Sequence, residues 1–251
     1  MAPVRTGYAR LMRGQASGPA RHRARRIAIA IVAAVVGATC VTLGSWQLRR
    51  LDDRRALNDR ITRVRSEPPV RITTASADGS PVPYRRVRAA GTYDTDREVL
   101  VFGRSLGGEP GHHVVTPLVL DDGSALLVVR GWVPFRMQDV PVTGAAPIAT
   151  DVAVEGFLVP HEGDGSVAPD ERRIVRALDV EGIGTSLPYE VFPLAVQLRR
   201  QTPAQPDLPM PVPEPERSEG PHLSYAIQWF SFAAVALVGA AILIVRDHRS
   251  D

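Results

Sequence analysis

Two long stretches without a charged side chain bracket the sequence, residues 27–48 (IAIAIVAAVVGATCVTLGSWQL) and residues 223–245 (LSYAIQWFSFAAVALVGAAILIV). At ~1.5 Å per residue, about 20 such residues cover the ~30 Å hydrocarbon layer of a bilayer, so each predicts a transmembrane helix. Beyond the first, residues 49–65 set Leu51, Leu57, Ile61 and Val64 among dense charge, with Asp53, Leu57 and Ile61 at helical spacing. That pattern predicts a continuation of the same helix as a solvated extension, stopped at Glu67-Pro68-Pro69. From residue 70 to 200 the periodicity shortens to β-rich runs bounded by Gly, Pro and Asp. Strands are predicted over 86–93, 98–102, 114–120, 125–133, 152–159, 173–178 and 192–199, with one short helical insertion at 180–187. Asp121-Asp122-Gly123-Ser124 between two apolar runs marks a hairpin turn, and glycine-rich 103–108 reads as a hairpin loop.

The expected fold class is therefore membrane α+β: two transmembrane helices flanking a mostly antiparallel β-barrel or β-sandwich in an extracytoplasmic domain. The expected layout is a basic tail (1–26), the first membrane helix (27–48), its extension (49–66), the β-rich domain (67–202), a linker (203–221), the second membrane helix (222–245) and a short tail (246–251). The linker holds seven of the 22 prolines and reads as a semi-rigid tether in extended polyproline geometry.

Charge fixes the orientation. All 30 basic residues are Arg, and residues 1–26 carry seven of them (Arg5, Arg10, Arg13, Arg21, Arg23, Arg25, Arg26) without an acid. Residues 46–222 carry 21 Arg against 25 Asp and Glu, so the basic excess is a tail rather than a nucleic-acid-binding face. With Arg246 and Arg249 after the second helix, the positive-inside rule puts both termini in the cytoplasm of a bacterial cell and the central domain outside the cytoplasmic membrane. Trp46 and Tyr225 then fall at the same outer boundary, where amphipathic rings are favoured. The first apolar run is longer than the ~7–15 residues of a cleaved signal's core, and Gly37-Ala38-Thr39 is a poor lipidation signal before Cys40. That single cysteine excludes an internal disulfide framework and a multi-cysteine zinc site. Small residues at four-residue spacing, Ala30, Ala34 and Ala38 on the first helix and Ala236 and Ala240 on the second, suit close helix packing or are generic alanine-rich membrane sequence.

Catalytic signatures are absent: the sequence has no G-x-S-x-G elbow, Walker A run, H-E-x-x-H or S-x-x-K. His112 and His113 are neighbours on a predicted strand and point to opposite faces, which disfavours a shared metal ion. His222 stands at the mouth of the second membrane helix, with Tyr225 and Trp229 at i+3 and i+7 on one face. The partial positive charge of a helix N-terminus disfavours imidazolium, so His222 is either an axial ligand candidate for a lipophilic haem or an ordinary interfacial histidine.

Several blocks resemble the Surf1 (Surfeit locus protein 1) family in their order along the chain. They are Leu43-Gly44-Ser45-Trp46-Gln47 with Arg49 and Arg54; Tyr84-Arg85-Arg86-Val87 with Gly91 and Tyr93; Gly111 and Val115-Thr116-Pro117; the run Val128 to Pro134 (VVRGWVP); and the run His222 to Phe230 (HLSYAIQWF). Two positions depart from the pattern: Arg54 stands where the family often has Lys, and His112-His113 where an aromatic and a variable residue are expected. The resemblance implies a membrane-anchored, non-enzymatic assembly factor for haem-copper oxidases. It implies help in delivering haem a to the catalytic subunit I, with the haem a synthase as a second partner. On that reading His222 contacts the haem iron, with Tyr225, Gln228, Trp229 and Trp46 in support, while Arg130, Gly131, Trp132 and Pro134 form a structural strand end. Gly91 serves a bulge or a close backbone approach. Two alternatives stay open: a cofactor-free scaffold or chaperone for an oxidase subunit, and an extracytoplasmic enzyme, which would need an acidic group in a pocket beside His161.

Overall fold

The computed structural model describes residues 19–75, 81–147, 149–163, 168–214 and 218–249. Arg5, Arg10 and Arg13 of the basic tail lie outside the described residues. The chain forms two compact units, residues 1–56 with 218–251 and residues 57–217.

Helix α1 (Pro19–Ser66), whose residues up to Ala56 belong to the first unit, runs unbroken for 48 residues, about 72 Å, so it outruns a bilayer and includes the expected extension. Helix α3 (His222–Arg249) has 28 residues, and both helices are long and apolar enough to cross a membrane. The chain is a membrane α+β protein. Their seam differs from the expected alanine stripe: Ala33, Gly37, Cys40 and Gly44 are buried, whereas Ala30, Ala34 and Ala38 face outward. Glycine explains the choice, because it lets large side chains of α3 sit directly on the α1 backbone. A Cβ added at Gly44 would lie 2.9 Å from the Phe230 ring, and one at Gly37 would meet Leu237 at 3.4 Å.

The second unit is a closed sheet. Strands β1 (Val70–Ile72), β2 (Arg86–Tyr93), β3 (Val99–Leu106), β4 (Glu109–Val119), β5 (Ala125–Pro134), β6 (Asp151–Val159), β7 (Ile174–Val175) and β8 (Ala195–Thr202) pair in the order β1-β2-β6-β8-β5-β4-β3-β7. An additional β2–β4 pairing joins the ring into a barrel. Most pairings are antiparallel; β1–β2, β5–β8 and β3–β7 are parallel. The barrel closes where Thr92 and Tyr93 meet Val119 and Leu118, and at neighbouring Gly91 any Cβ would strike the Val119 carbonyl. This is the close approach expected of a glycine inside a strand. The Asp121–Ser124 turn links β4 to β5, with Gly123 at φ +83.

The first half of β5, Ala125 to Val129, reads as an unbroken apolar run because both its faces are covered. Leu126 and Val128 enter one cluster with Val87, Val154 and Val196, while Leu127 and Val129 enter another with Ile183 of the short helix α2 (Val180–Gly184). Between Val129 and Gly131, which pair with Val115 and Val114, Arg130 is left over as a β-bulge. Bulges re-aim a side chain, and this one puts Arg130 in the interior. Its guanidinium donates to Glu98 Oε2 at 3.1 Å and to the Ala145 carbonyl at 2.6 Å, and stands 5.4 Å from the centre of the Tyr93 ring. Glu98 also accepts from the Thr116 hydroxyl at 2.9 Å and the Val142 N–H at 2.8 Å.

The proline-rich segment does not run free. Met210 exchanges two backbone hydrogen bonds with Trp132, at 2.7 and 2.8 Å, and Gln197 donates to the Val212 carbonyl at 3.0 Å. Prolines lack an N–H but keep a carbonyl, so such a segment still pairs through its acceptors and through the non-proline residues between. Gly131 makes room for it, since a Cβ there would lie 2.5 Å from the Met210 carbonyl. Farther on, Glu214 pairs with Arg65 at 2.8 Å and Arg199 at 3.2 Å.

Candidate functional site

His222 opens α3, and its ring is half-buried. Its Nδ1 lies 2.9 Å from Oε1 of Gln47 on α1. An amide oxygen only accepts, so Nδ1 carries the hydrogen and donates it. In the neutral ring this bond selects the tautomer whose lone pair is on Nε2, the form in which an imidazole binds a metal. Two further features set the ring. Gly220 at φ +71 lies behind it, where a Cβ would crowd Nε2 at 3.4 Å and Cδ2 at 3.3 Å. Arg55 of α1 grips Glu219 with two hydrogen bonds of 3.0 and 2.8 Å, fixing the approach to α3, and holds that carboxyl below its ordinary range.

The other expected residues are placed as follows. Tyr225 and Trp46 are exposed, Gln228 is exposed, and Trp229 is half-buried with its ring edge-on to Phe232 at 6.0 Å. Around the α3 position a helical count puts Tyr225 and Trp229 near the His222 azimuth and Gln228 about a third of a turn away. Nothing local marks Gln47 as a site residue. Its partner is 175 positions distant, and only the antiparallel pairing of α1 and α3 brings them together.

Neither remaining histidine cluster competes. His112 is fully buried, its ring between Phe102 and Phe135 at 5.6 and 5.4 Å, and burial lowers its pKa. Burial, helped by Arg104, drives His113 down to about 4. Among the described residues no group of three or more His, Cys, Asp or Glu could hold a metal ion.

The cleft beside His161, about 450 Å³, is lined by Glu181, Tyr189 and Glu190, and Asp179 stands 4.0 Å from the imidazole. Acidic groups thus do share a pocket with His161. However, Asp179 is the N-cap of α2, accepting from the Gly182 N–H at 3.0 Å, and this engagement suits a structural carboxylate better than a base. His161 itself is 43% exposed at its side chain, so the pair is open to water.

A sequence profile described as the SURF1 family matches residues 34–234. The chain is 27% identical over 209 residues to a SURF1-like protein of Monosiga brevicollis, covering 78% of this chain and 79% of that one. It is 28% identical over 234 residues to an uncharacterized SURF1-like protein of Mycobacterium tuberculosis, covering 89% and 85%. Against Surfeit locus protein 1 of Takifugu rubripes it is 33% identical over 116 residues, 40% of this chain and 48% of that one.

Proposed function

The chain belongs to the SURF1 family, and from that premise we propose that it is a membrane-anchored, non-enzymatic assembly factor for haem-copper oxidase that passes haem a towards subunit I. The proposal places the protein in the bacterial cytoplasmic membrane, both termini cytoplasmic and the barrel outside, because the described helix ends are rich in Arg at the terminal side. The observation that carries it is the 2.9 Å bond from His222 Nδ1 to Gln47, which directs the lone pair of the neutral ring to Nε2 at the membrane boundary. His222 would hold haem iron through that nitrogen. Gln47 orients the ring and holds the tautomer, Gly220 keeps the Nε2 side uncrowded, and Tyr225, Trp229 and Trp46 offer aromatic surface to a flat apolar ring system. The haem a synthase would supply the cargo and subunit I receive it.

The test is complementation of a deletion strain. Wild-type protein should restore haem a to subunit I, His222→Ala should leave it near the deletion level, and Gln47→Ala should fall between. Full restoration by His222→Ala would leave the cofactor-free scaffold as the reading.

A further inference from the structure

An apolar groove of about 540 Å³ runs along the two membrane helices on the side of the termini. Helix α1 lines it with one face over residues 25–36, and α3 with the face over residues 235–243. Eleven residues of rise make about 16 Å, close to one leaflet of a ~30 Å hydrocarbon core. The groove therefore has the length of an acyl chain from one leaflet. A partner's transmembrane helix would need a track through both, and beyond residue 36 the seam is occupied by Leu237 against Gly37 and Phe230 against Gly44. Gly239 opens into this space: a side chain there would meet nothing within 4 Å.

The one charged residue in the lining is Arg25, at the groove's terminal end, with its side chain 60% exposed. Its Nη2 lies 3.0 Å from Asp247 Oδ1, and a guanidinium has five N–H donors, so most remain for another acceptor. The same helix ends carry Arg21, Arg23, Arg26, Arg246 and Arg249, with Asp247 the sole acid among their described residues. The neighbourhood is strongly cationic and the groove strongly apolar. We infer that this groove holds one acyl chain of an anionic phospholipid from the leaflet facing the termini, with the phosphate on Arg25. Basic pockets between membrane helices select anionic head groups for the same electrostatic reason.

The full chain, placed in nanodiscs of equal phosphatidylcholine and phosphatidylglycerol and then released into mild detergent, is read by native mass spectrometry. Phosphatidylglycerol should be retained over phosphatidylcholine on the order of fivefold, the worth of one basic side chain at a membrane surface. Arg25→Gln should bring the two lipids towards parity while a lipid is still held. Gly239→Leu should fill the groove and lose both, whereas Ala234→Leu, outside the lining, should retain the wild-type pattern. Equal retention of the two lipids by the wild type, retention unchanged in Gly239→Leu, or loss in Ala234→Leu would each overturn the inference. So would a co-purifying polypeptide, rather than a lipid, displaced by Gly239→Leu.

Discussion

Removing the Glu98 carboxylate should damage the barrel far more than removing its partner Arg130. Both side chains are almost wholly enclosed, at 2% and 0% exposure. In Glu98→Ala the guanidinium stays charged and unpaired in the interior, and the Thr116 hydroxyl and Val142 N–H lose their acceptor as well. Breaking a buried pair in this direction costs about 3–5 kcal/mol. For a unit of this size each kcal/mol moves the melting point by roughly 2–4 °C, so a fall of about 6–20 °C is expected. Arg130→Met leaves Glu98 with two donors, and the Ala145 carbonyl as the main orphan, a loss of roughly 1–3 kcal/mol. The double variant Glu98→Leu/Arg130→Met removes the charge altogether and should cost less than the sum of the singles. The assay is the emission of Trp132, buried and donating to the Arg104 carbonyl at 3.0 Å, in the full chain with Trp46 and Trp229 changed to Phe. A Glu98→Ala cost below about 1 kcal/mol, or single-variant costs that simply add, would refute this description of the core.

Two further predictions concern the helix seam and the histidines of β4. Gly44→Ala puts a methyl 2.9 Å from Phe230 and should weaken the helix pair by about 1–3 kcal/mol, while Gly37→Ala, at 3.4 Å from Leu237, should be tolerated; steric trapping or detergent-resistant mobility of the full chain reads the difference. His113 has a folded pKa lowered to about 4, below its unfolded value near ~6.5, so on acidification the unfolded chain takes up a proton that the folded one refuses. Stability should be unaffected above about pH 6.5 and decline between there and pH 4, and denaturant midpoints should show His113→Gln flattening that slope without abolishing it, because buried His112 adds to it.

Local pattern carried most of the barrel. The 86–93 run is strand β2 as expected, Gly123 makes the turn, and Gly91 sits at the barrel's closing contact. What escaped depends on distant partners. β1 is three residues long and exists because it pairs in parallel with β2, which no local periodicity reveals. Arg130 to Pro134 do close strand β5 as expected, but nothing near Arg130 announces a bulge or a carboxylate 32 positions away. The prolines gave no sign that Trp132 would capture Met210. At the candidate site His222 was legible from its place at a helix mouth, whereas Gln47 could be chosen only once the two membrane helices were seen side by side.

The central claim is that His222 presents its Nε2 to haem a, and the absorption spectrum of the full chain tests it most directly. Protein purified in mild detergent from cells that make haem a should carry a haem band. His222→Ala should lose that band at unchanged protein level, Gln47→Ala should weaken haem binding by about 10–100-fold, and His161→Ala should keep it. A His222→Ala protein with the wild-type band would contradict the claim.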